Sequence, residues 1–203
     1  MDYKKTVKDG YNVIAERYLT QRSPDSEDVR LLSEFVERLP ADSIVLDAGC
    51  GAGIPISQIL SGRFDVTGVD FSEAQIERAK KNVPRATFLC QDMTKLDLPP
   101  STFDGIVSYY AIIHIPRAEH KPLLAEFQRM LKPGGLAFLC LGAEHLIDDI
   151  AEDYLGARMY WSHYDSETYI KMLQEIGFRI IWSKIVMDQT FEGSGHLFVL
   201  AQK

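Results

Sequence analysis

The chain has 203 residues, of which 46% are hydrophobic and 25% charged, and this composition excludes a largely disordered protein. Its 22 basic and 29 acidic residues give a net charge of −7, which disfavours general binding to nucleic-acid backbones or anionic membranes. No apolar run approaches the roughly 20 residues that span a bilayer, and no secretory signal is visible at the N-terminus. We therefore expect a cytoplasmic protein whose partners include neither nucleic acid nor a membrane.

Three cysteines, Cys50, Cys90 and Cys140, stand far apart in the sequence. None of them has the Cys-x-x-Cys spacing that is typical of zinc sites, and their odd number does not suggest a disulfide framework. We expect no metal site, and we expect all three thiols to be reduced, buried and unreactive.

Two helical patterns occupy the first 40 residues. Apolar and aromatic residues recur at helical spacing from residue 6 to about 20, and again from 31 to 39, where Pro40 ends the pattern. Tyr11 and Tyr18 are seven residues apart, so they should lie on one face of the first helix.

From residue 43 onwards, short apolar runs alternate with helical patterns. Strands are predicted at 43–46, 64–69, 86–90, 103–109 and 136–141, with helices near 54–60, 72–82 and 123–131. Ser72 and Gln75 have the spacing of a capping box, in which the Ser72 hydroxyl accepts from a helix amide and the Gln75 side chain reaches back. The alternation predicts an α/β fold with a doubly wound, mostly parallel sheet.

The last 60 residues are less regular. Residues 147–155 are predicted to be helical, with their acidic side chains on a solvated face. A predicted helix at 166–176 is followed by strands at 178–186 and 196–201, with a loop around Gly193 between them. No helix separates these two strands, so they should pair as an antiparallel C-terminal hairpin at one edge of the sheet.

Three of the predicted strands end in an acid, namely Asp47, Asp70 and Asp92. Ligands of parallel sheets lie beyond the carboxyl ends of the strands, so these acids should meet at a binding site. Asp70 comes 70 − 47 = 23 residues after Asp47, close to the offset of about 20 residues at which an acid receives ribose hydroxyls. Asp92 could accept a hydrogen bond from an adenine amino group.

Glycine alternates with other residues directly after Asp47, at Gly49, Gly51 and Gly53. Such glycines permit a tight turn and let backbone amides approach a ligand closely. A dinucleotide-binding fingerprint would need glycine at position 54, where Ile54 stands, and Asp47 would repel a diphosphate while attracting an ammonium group. The pattern therefore disfavours a nicotinamide-dependent dehydrogenase.

Five segments, VLDAGCGAG, VTGVDFS, CQDM, FDGIVSYYAIIH and LKPGG, resemble in this order the motifs of class I S-adenosylmethionine-dependent methyltransferases. The small-molecule type grouped with ubiquinone and menaquinone methyltransferases is the most similar. The resemblance implies a three-layer, doubly wound sheet of seven strands with an antiparallel last strand. It also implies S-adenosylmethionine as cofactor, S-adenosylhomocysteine as product, and in-line methyl transfer to a small molecule, mainly by positioning.

The resemblance covers about residues 40–142 and implies a single methyltransferase domain over the chain. The expected parts are a helical N-terminal lid, the cofactor-binding core, an insertion or cap, and a C-terminal helix with a β-hairpin, at 1–40, 41–142, 143–164 and 165–203.

The resemblance also assigns roles to the first two motifs. Gly49, Gly51 and Gly53 would cradle the methionyl and ribose portion of the cofactor. Asp47 would face the methionyl ammonium, and Asp70 would take the ribose hydroxyls.

Residues farther along the chain would complete the cofactor site. Phe71 would line the adenine, Asp92 would bind its amino group, and Met93 would pack on the ring. Ser108 and Tyr109, at the end of the fourth strand, would flank the methionine tail near the reactive methyl. For Phe71 and Met93, packing in the core is an alternative role.

Signals for substrate and catalysis are weaker, because methyl transfer mainly needs in-line placement and exclusion of water. In related enzymes a leading helix closes over the cofactor, so Tyr11 and Tyr18 are candidate lid residues that contact it; packing of this helix onto the domain is the alternative. His114, His163 and Tyr109 are candidate catalytic residues, and for His114 a structural hydrogen bond is the alternative role.

Other functions stay open, namely a nucleic-acid or protein methyltransferase and a non-catalytic, cofactor-binding regulatory protein. Methyltransferases that act on base amino groups usually carry Asn/Asp-Pro-Pro-aromatic after the fourth strand, where Ser108-Tyr109-Tyr110-Ala111 stands here. The acidic charge also counts against nucleic acid as the substrate.

Overall fold

The structure is a computed structural model that describes residues 2–21, 23–187 and 195–203. Its helices are α1 (Tyr3–Thr20), α2 (Glu27–Arg30), α3 (Leu32–Arg38), α4 (Ile56–Ser61), α5 (Glu73–Asn82), α6 (His120–Met130) and α7 (Ser166–Ile176). Its strands are β1 (Ile44–Ala48), β2 (Asp65–Asp70), β3 (Thr87–Cys90), β4 (Phe103–Ser108), β5 (Leu131–Gly142), β6 (Leu146–Tyr154), β7 (Ala157–His163), β8 (Arg179–Met187) and β9 (Gly195–Gln202). Among the residues described, no helix has the length and apolar character needed to cross a membrane.

Seven strands form the main sheet, in the order β3-β2-β1-β4-β5-β9-β8. The pairs from β3 to β5 are parallel, whereas β9 runs antiparallel to both of its neighbours. The chain builds outward from β1 to β3 and then returns to place β4 on the other side of β1. This reversal opens a crevice at the carboxyl ends of β1 and β4, which is where doubly wound sheets bind ligands.

Helices cover both faces of the sheet, so the predicted three-layer α/β fold is confirmed. Apolar residues of β1 and β5 point alternately to the two faces, because successive side chains of a strand do so. One face packs against α6 and α7, with Phe127 and Leu173 fully buried. The other face packs against α3 and α4, with Phe35 and Leu60 fully buried. The antiparallel C-terminal hairpin is also confirmed, although the loop around Gly193 lies outside the described residues.

The prediction of a helix at 147–155 is wrong, because this segment forms an antiparallel hairpin of β6 and β7. Its two-residue loop places both Leu155 and Gly156 at positive φ, 55° and 91°, as a type I′ hairpin turn requires. The Asp153 carboxylate fixes the turn by accepting from the Gly156 amide at 2.8 Å. The acidic residues of this segment therefore lie on a strand rather than on a helix face.

Helix α1 and the β6–β7 hairpin pack on each other through a hydrophobic cluster of their own. Val7 and Ile14 of α1 are fully buried against Met159 and Tyr160 of β7. Gly10 allows this close approach, because a Cβ there would lie 2.8 Å from the Arg158 carbonyl oxygen. We call α1 and the hairpin the roof, since α1 lies over the carboxyl ends of the strands. The other two N-terminal helices, α2 and α3, pack instead on one face of the sheet.

The cysteines differ in burial. Cys50 and Cys140 are buried, as predicted, and none of the three cysteines forms a disulfide. Cys90 is exposed, so the prediction that it is buried is wrong. It is the last residue of β3, the strand at the sheet edge, which leaves its side chain without a covering helix.

Candidate functional site

A cavity lies between the carboxyl ends of the central strands, which we call the floor, and helix α1 of the roof. It has about 940 Å³ of unfilled space, part of it open to solvent. The roof contributes residues at helical spacing on one face of α1, namely Lys4, Val7, Tyr11 and Tyr18. The floor contributes the loops that follow β1, β2, β3 and β4.

Two carboxylates of the floor lie at the ends of neighbouring strands. Asp47 of β1 is only 1% exposed, and its Oδ2 accepts from the Ser57 hydroxyl at 2.5 Å. Asp70 ends β2, and its oxygens accept from the amides of Gly51 at 3.0 Å and Ser72 at 2.9 Å. The parallel pairing of β1 with β2 brings both carboxylates to one side of the cavity.

These carboxylates lack a cationic partner. Neither Asp47 nor Asp70 forms a salt bridge in the described part of the chain. Burial, opposed by the hydrogen bond from Ser57 and assisted by the nearby charge of Asp70, raises the pKa of Asp47 to about 7. Enclosure likewise raises the pKa of Asp70 to about 6, although backbone hydrogen bonds oppose this shift. The floor is therefore suited to a ligand that carries positive charge and hydrogen-bond donors.

Two glycines shape the loop after β1. Gly49 has φ +81°, and a Cβ on it would lie 2.1 Å from the Ala111 Cβ, so only glycine fits. Gly51 has φ +53°, and the nearest heavy atom to a Cβ on it would be the Gln75 Oε1 at 4.0 Å. The space above Gly51 is thus kept free by the protein. Gly53 does not line the cavity and packs towards α5 instead.

Asp92 is already engaged by the roof. The Lys4 ammonium donates to Asp92 at 3.2 Å, to the Thr94 hydroxyl at 2.6 Å and to Glu119 at 2.5 Å. Burial alone would raise the pKa of Asp92, but hydrogen bonds from Thr94 and the charge of Lys4 outweigh it and lower the pKa. Phe71 lines the cavity in the same region, as does Met93 beside Asp92. A ligand that used this carboxylate would share it with Lys4.

Ser108 and Tyr109 present less to the cavity than the sequence suggested. The Ser108 hydroxyl donates to the Ala48 carbonyl at 2.8 Å, and this residue is fully buried away from the lining. Tyr109 lines the cavity, but its hydroxyl donates to the Asp28 carbonyl at 2.9 Å and its ring stacks on Phe138. The structure therefore gives the Tyr109 hydroxyl a structural partner.

A histidine of the floor is hydrogen-bonded to a tyrosine of the roof. The two ring nitrogens of His114 lie 2.7 Å from the Tyr160 carbonyl oxygen and 2.9 Å from the Tyr11 hydroxyl. A carbonyl can only accept, so Nδ1 carries the hydrogen. Burial lowers the pKa of His114 to about 4, so the ring is neutral near pH 7 and Nε2 accepts from Tyr11. The Tyr11 hydroxyl is also hydrogen-bonded to the Tyr18 side chain, so its oxygen keeps one lone pair for a further donor.

His163 lies outside the cavity. Its Nδ1 is 2.6 Å from the Glu144 carbonyl oxygen, and its ring packs against Gly142. It is brought together with neither Asp47 nor Asp70.

Several lining residues were missed from the sequence. Lys4 precedes Tyr11 by seven residues, so helical spacing alone would have placed it on the same face. For Tyr109 and Tyr110 the sequence predicts that one faces the pocket, and both line the cavity because Tyr110 has a φ of 51°, which no sequence pattern signals. Gln75 was interpreted as a cap and also lines the cavity.

Comparison with known proteins gives an independent view of this site. Residues 45–135 match a family model described as a methyltransferase domain. A 24-methylenesterol C-methyltransferase of Arabidopsis thaliana is 35% identical over 99 residues, which are 45% of this chain and 27% of that protein. A phosphoethanolamine N-methyltransferase of the same plant is 33% identical over 175 residues, 77% of this chain and 33% of that protein. The chain thus spans about a third or less of these relatives.

Solved structures share the whole architecture. A magnesium protoporphyrin IX methyltransferase from Synechocystis, solved with bound S-adenosylmethionine, superposes with a TM-score of 0.75 at 17% identity. The alignment covers 100% of this chain and 98% of the other. The matched family, the sheet order and the acids at the strand ends agree with one another. Residues 45–135 therefore belong to a methyltransferase domain, and its fold is that of class I S-adenosylmethionine-dependent methyltransferases.

Proposed function

We propose that this protein transfers the methyl group of S-adenosylmethionine to a small-molecule acceptor that carries no anionic group. The observation that carries the proposal is the pair of enclosed carboxylates, Asp47 and Asp70, at adjacent strand ends without a cationic partner among the described residues. A cofactor with an ammonium group, a sulfonium and ribose hydroxyls supplies the charge and the donors that this floor lacks. Three free cysteines fit a cytoplasmic location.

The residues of the floor fit this cofactor one by one. Asp47 would face the ammonium, Asp70 would accept from the ribose hydroxyls, and the space above Gly51 would admit the chain between them. Phe71 and Met93 would enclose the adenine. When bound, S-adenosylmethionine supplies a methyl group on a positively charged sulfur, which is activated for displacement without any help from a metal.

The roof and floor would together handle the proton of the acceptor. Tyr11 donates to His114 Nε2, so its oxygen is free to accept a proton from an acceptor as its own proton moves to Nε2. The low pKa of His114 means that the proton must come from a group made strongly acidic by methylation, such as a hydroxyl oxygen. His163 has no part in this step because it does not line the cavity, and Tyr109 has none because its hydroxyl donates to the Asp28 carbonyl.

The charge of the lining favours an acceptor without phosphate or carboxylate. Lys4 is the one lysine or arginine that lines the cavity in the ranges the structure describes, and three acceptors already hold its ammonium. An anionic acceptor would therefore find no unengaged lysine or arginine of this lining to pair with. The rings of Tyr11, Tyr18 and Tyr110 instead offer an apolar wall with hydroxyl groups.

A screen of acceptors tests this proposal. The release of S-adenosylhomocysteine is measured with a panel of small molecules in matched pairs, each neutral compound beside its phosphorylated or carboxylated analogue. We expect turnover only with neutral or cationic members. Turnover of the anionic member of a pair, or of RNA or DNA, contradicts the proposed acceptor class.

A further inference from the structure

We propose that Gln75 is a second ribose-binding residue, whose carboxamide oxygen accepts a hydrogen bond from a cofactor hydroxyl beside Asp70. This inference rests on the proposed function and adds a residue that neither the motifs nor the resemblance assigns to the cofactor.

The carboxamide of Gln75 has an unsatisfied acceptor. Gln75 lies in the first turn of α5, is 2% exposed and lines the cavity. Its Oε1 is buried and has no hydrogen-bond partner within residues 2–21, 23–187 and 195–203. Buried polar atoms in folded proteins are nearly always paired, so an unpaired one on a cavity wall points to a ligand donor.

The capping box that would explain Gln75 is only half formed. The Ser72 hydroxyl does accept from the Gln75 amide at 3.2 Å, as the spacing predicts. The returning bond is missing, because the Ser72 amide donates to Asp70 Oδ1 at 2.9 Å instead. Asp70 thus takes the donor that the Gln75 side chain would otherwise have used.

Gln75 and Asp70 flank the same point of the loop. The Gly51 amide donates to Asp70 Oδ2 at 3.0 Å, and Gln75 Oε1 is the nearest atom to the empty Cβ position of Gly51. Each Asp70 oxygen already accepts one backbone hydrogen. A ribose offers two neighbouring hydroxyl donors, and a second acceptor at this point lets both be satisfied.

The test uses Gln75→Met, which keeps the length of the side chain and removes its polar atoms. The matched control is Gln174→Met, at an exposed position of α7. Thermal unfolding without cofactor is expected to shift upwards by about 2–6 °C in Gln75→Met, because the unpaired buried acceptor is gone. In calorimetric titrations, the affinity for S-adenosylhomocysteine should fall about three- to tenfold. The same fold loss is expected for 5′-methylthioadenosine, which keeps the ribose and lacks the amino acid.

The outcomes separate this inference from the proposed function. If Gln75→Met binds both probes like the wild type, or unfolds at a lower temperature with unchanged affinity, Gln75 is a packing residue and the inference is wrong. A loss confined to S-adenosylhomocysteine overturns the ribose assignment, since only the amino-acid end differs. If the wild type itself binds neither probe, the proposed function fails together with this inference.

Discussion

The floor and the roof of the cavity differ in secondary structure and in charge. The floor consists of strand ends held by main-chain pairing, and it carries enclosed charge at Asp47 and Asp70. The roof is a helix joined to a hairpin, and it presents Tyr11 and Tyr18 with no charge except Lys4. On the proposed function, this difference means that cofactor recognition would depend on the strand ends of the sheet, whereas the choice of acceptor would depend on the helix and hairpin packed above them.

The two regions meet at a few side-chain contacts. The Asn12 carboxamide oxygen of α1 accepts from the Ser72 hydroxyl at 2.6 Å and from the Ala74 amide at 3.2 Å, so the roof completes the cap of α5. Tyr11 reaches His114 and Lys4 reaches Asp92. Polar contacts of this kind are individually weak, and we expect the roof to move away from the floor when ligands enter.

The largest effect should come from the floor, with Asp70→Ala. Loss of the carboxylate that accepts from the ribose and also holds the Gly51 and Ser72 amides should weaken S-adenosylhomocysteine binding about 10²–10³-fold, given about 1.5–3 kcal/mol for the charge-assisted bond and a further loss from the freed amides. Circular dichroism should show a retained fold. Asp65→Ala, at the exposed start of the same strand, is the control and should bind normally. Unchanged affinity in Asp70→Ala would mean that the ribose lies elsewhere.

The roof should affect catalysis more than binding. Tyr11→Phe removes the hydroxyl that links the acceptor to His114, and should lower kcat about 10²-fold with an acceptor found in the screen. Cofactor affinity should change by less than about threefold, since the ring stays. Tyr3→Phe, which stacks on Tyr160 behind the cavity, is the matched control. A change in affinity with normal kcat would place Tyr11 on the cofactor instead.

Asp47→Asn should separate binding from stability. The pKa of Asp47 is raised to about 7 by burial, above its value of about 3.9 in the unfolded chain. A raised carboxyl pKa means that the wild type loses stability as the pH rises from about 4 to 7, and the loss is complete above pH 7. Without cofactor, the variant should therefore gain about 3–4 kcal/mol at pH 8 and nothing near pH 4.

Asp47→Asn should also weaken the binding of the cofactor. Without the charge that faces the ammonium, S-adenosylhomocysteine affinity at pH 8 should fall about 10–30-fold. Urea unfolding at the two pH values and calorimetric titration measure both effects. A variant that is less stable than the wild type at pH 8 would show that Asp47 serves the fold rather than a ligand.

Lys4→Met should have the smallest effect. The Lys4 side chain is 20% exposed, and partly exposed ion pairs of this kind contribute about 0–1 kcal/mol. Loosening this end of the roof should raise the dissociation rate of S-adenosylhomocysteine about two- to threefold in a stopped-flow displacement. Lys5→Met, whose partner is Asp9 within the same helix, should leave the rate unchanged. Slower release of S-adenosylhomocysteine from Lys4→Met would contradict the expectation that Lys4 holds the roof on the floor.

The sheet and the floor could be predicted because their signals are local. Apolar runs that end in Asp47 and Asp70 define buried strands, and the glycines after Asp47 define the turn. The number of strands and the antiparallel direction of the last one follow from these runs together with the resemblance. Tyr11 and Tyr18 could be placed on one helical face, and their rings indeed meet edge to face at 5.3 Å.

The hairpin part of the roof could not be predicted, since pairing between residues distant in the sequence decides how it packs on α1. The β6–β7 segment has no strong turn signal, because Leu155 adopts a positive φ that this residue type rarely takes. The partners of Ser108 and His163 are backbone carbonyls that no sequence pattern identifies. The Gln75 side chain lost its predicted partner to Asp70, a competition between two local motifs that only the folded backbone resolves.

Calorimetric titration of the wild-type protein tests most directly whether the charged floor binds S-adenosylmethionine. The protein is titrated at pH 8 with S-adenosylhomocysteine and, in parallel, with a nicotinamide dinucleotide. We predict saturable binding of one S-adenosylhomocysteine per chain and no heat from the dinucleotide, whose diphosphate would meet Asp47 and Asp70. Binding of the dinucleotide without binding of S-adenosylhomocysteine would contradict the assignment of the floor to S-adenosylmethionine.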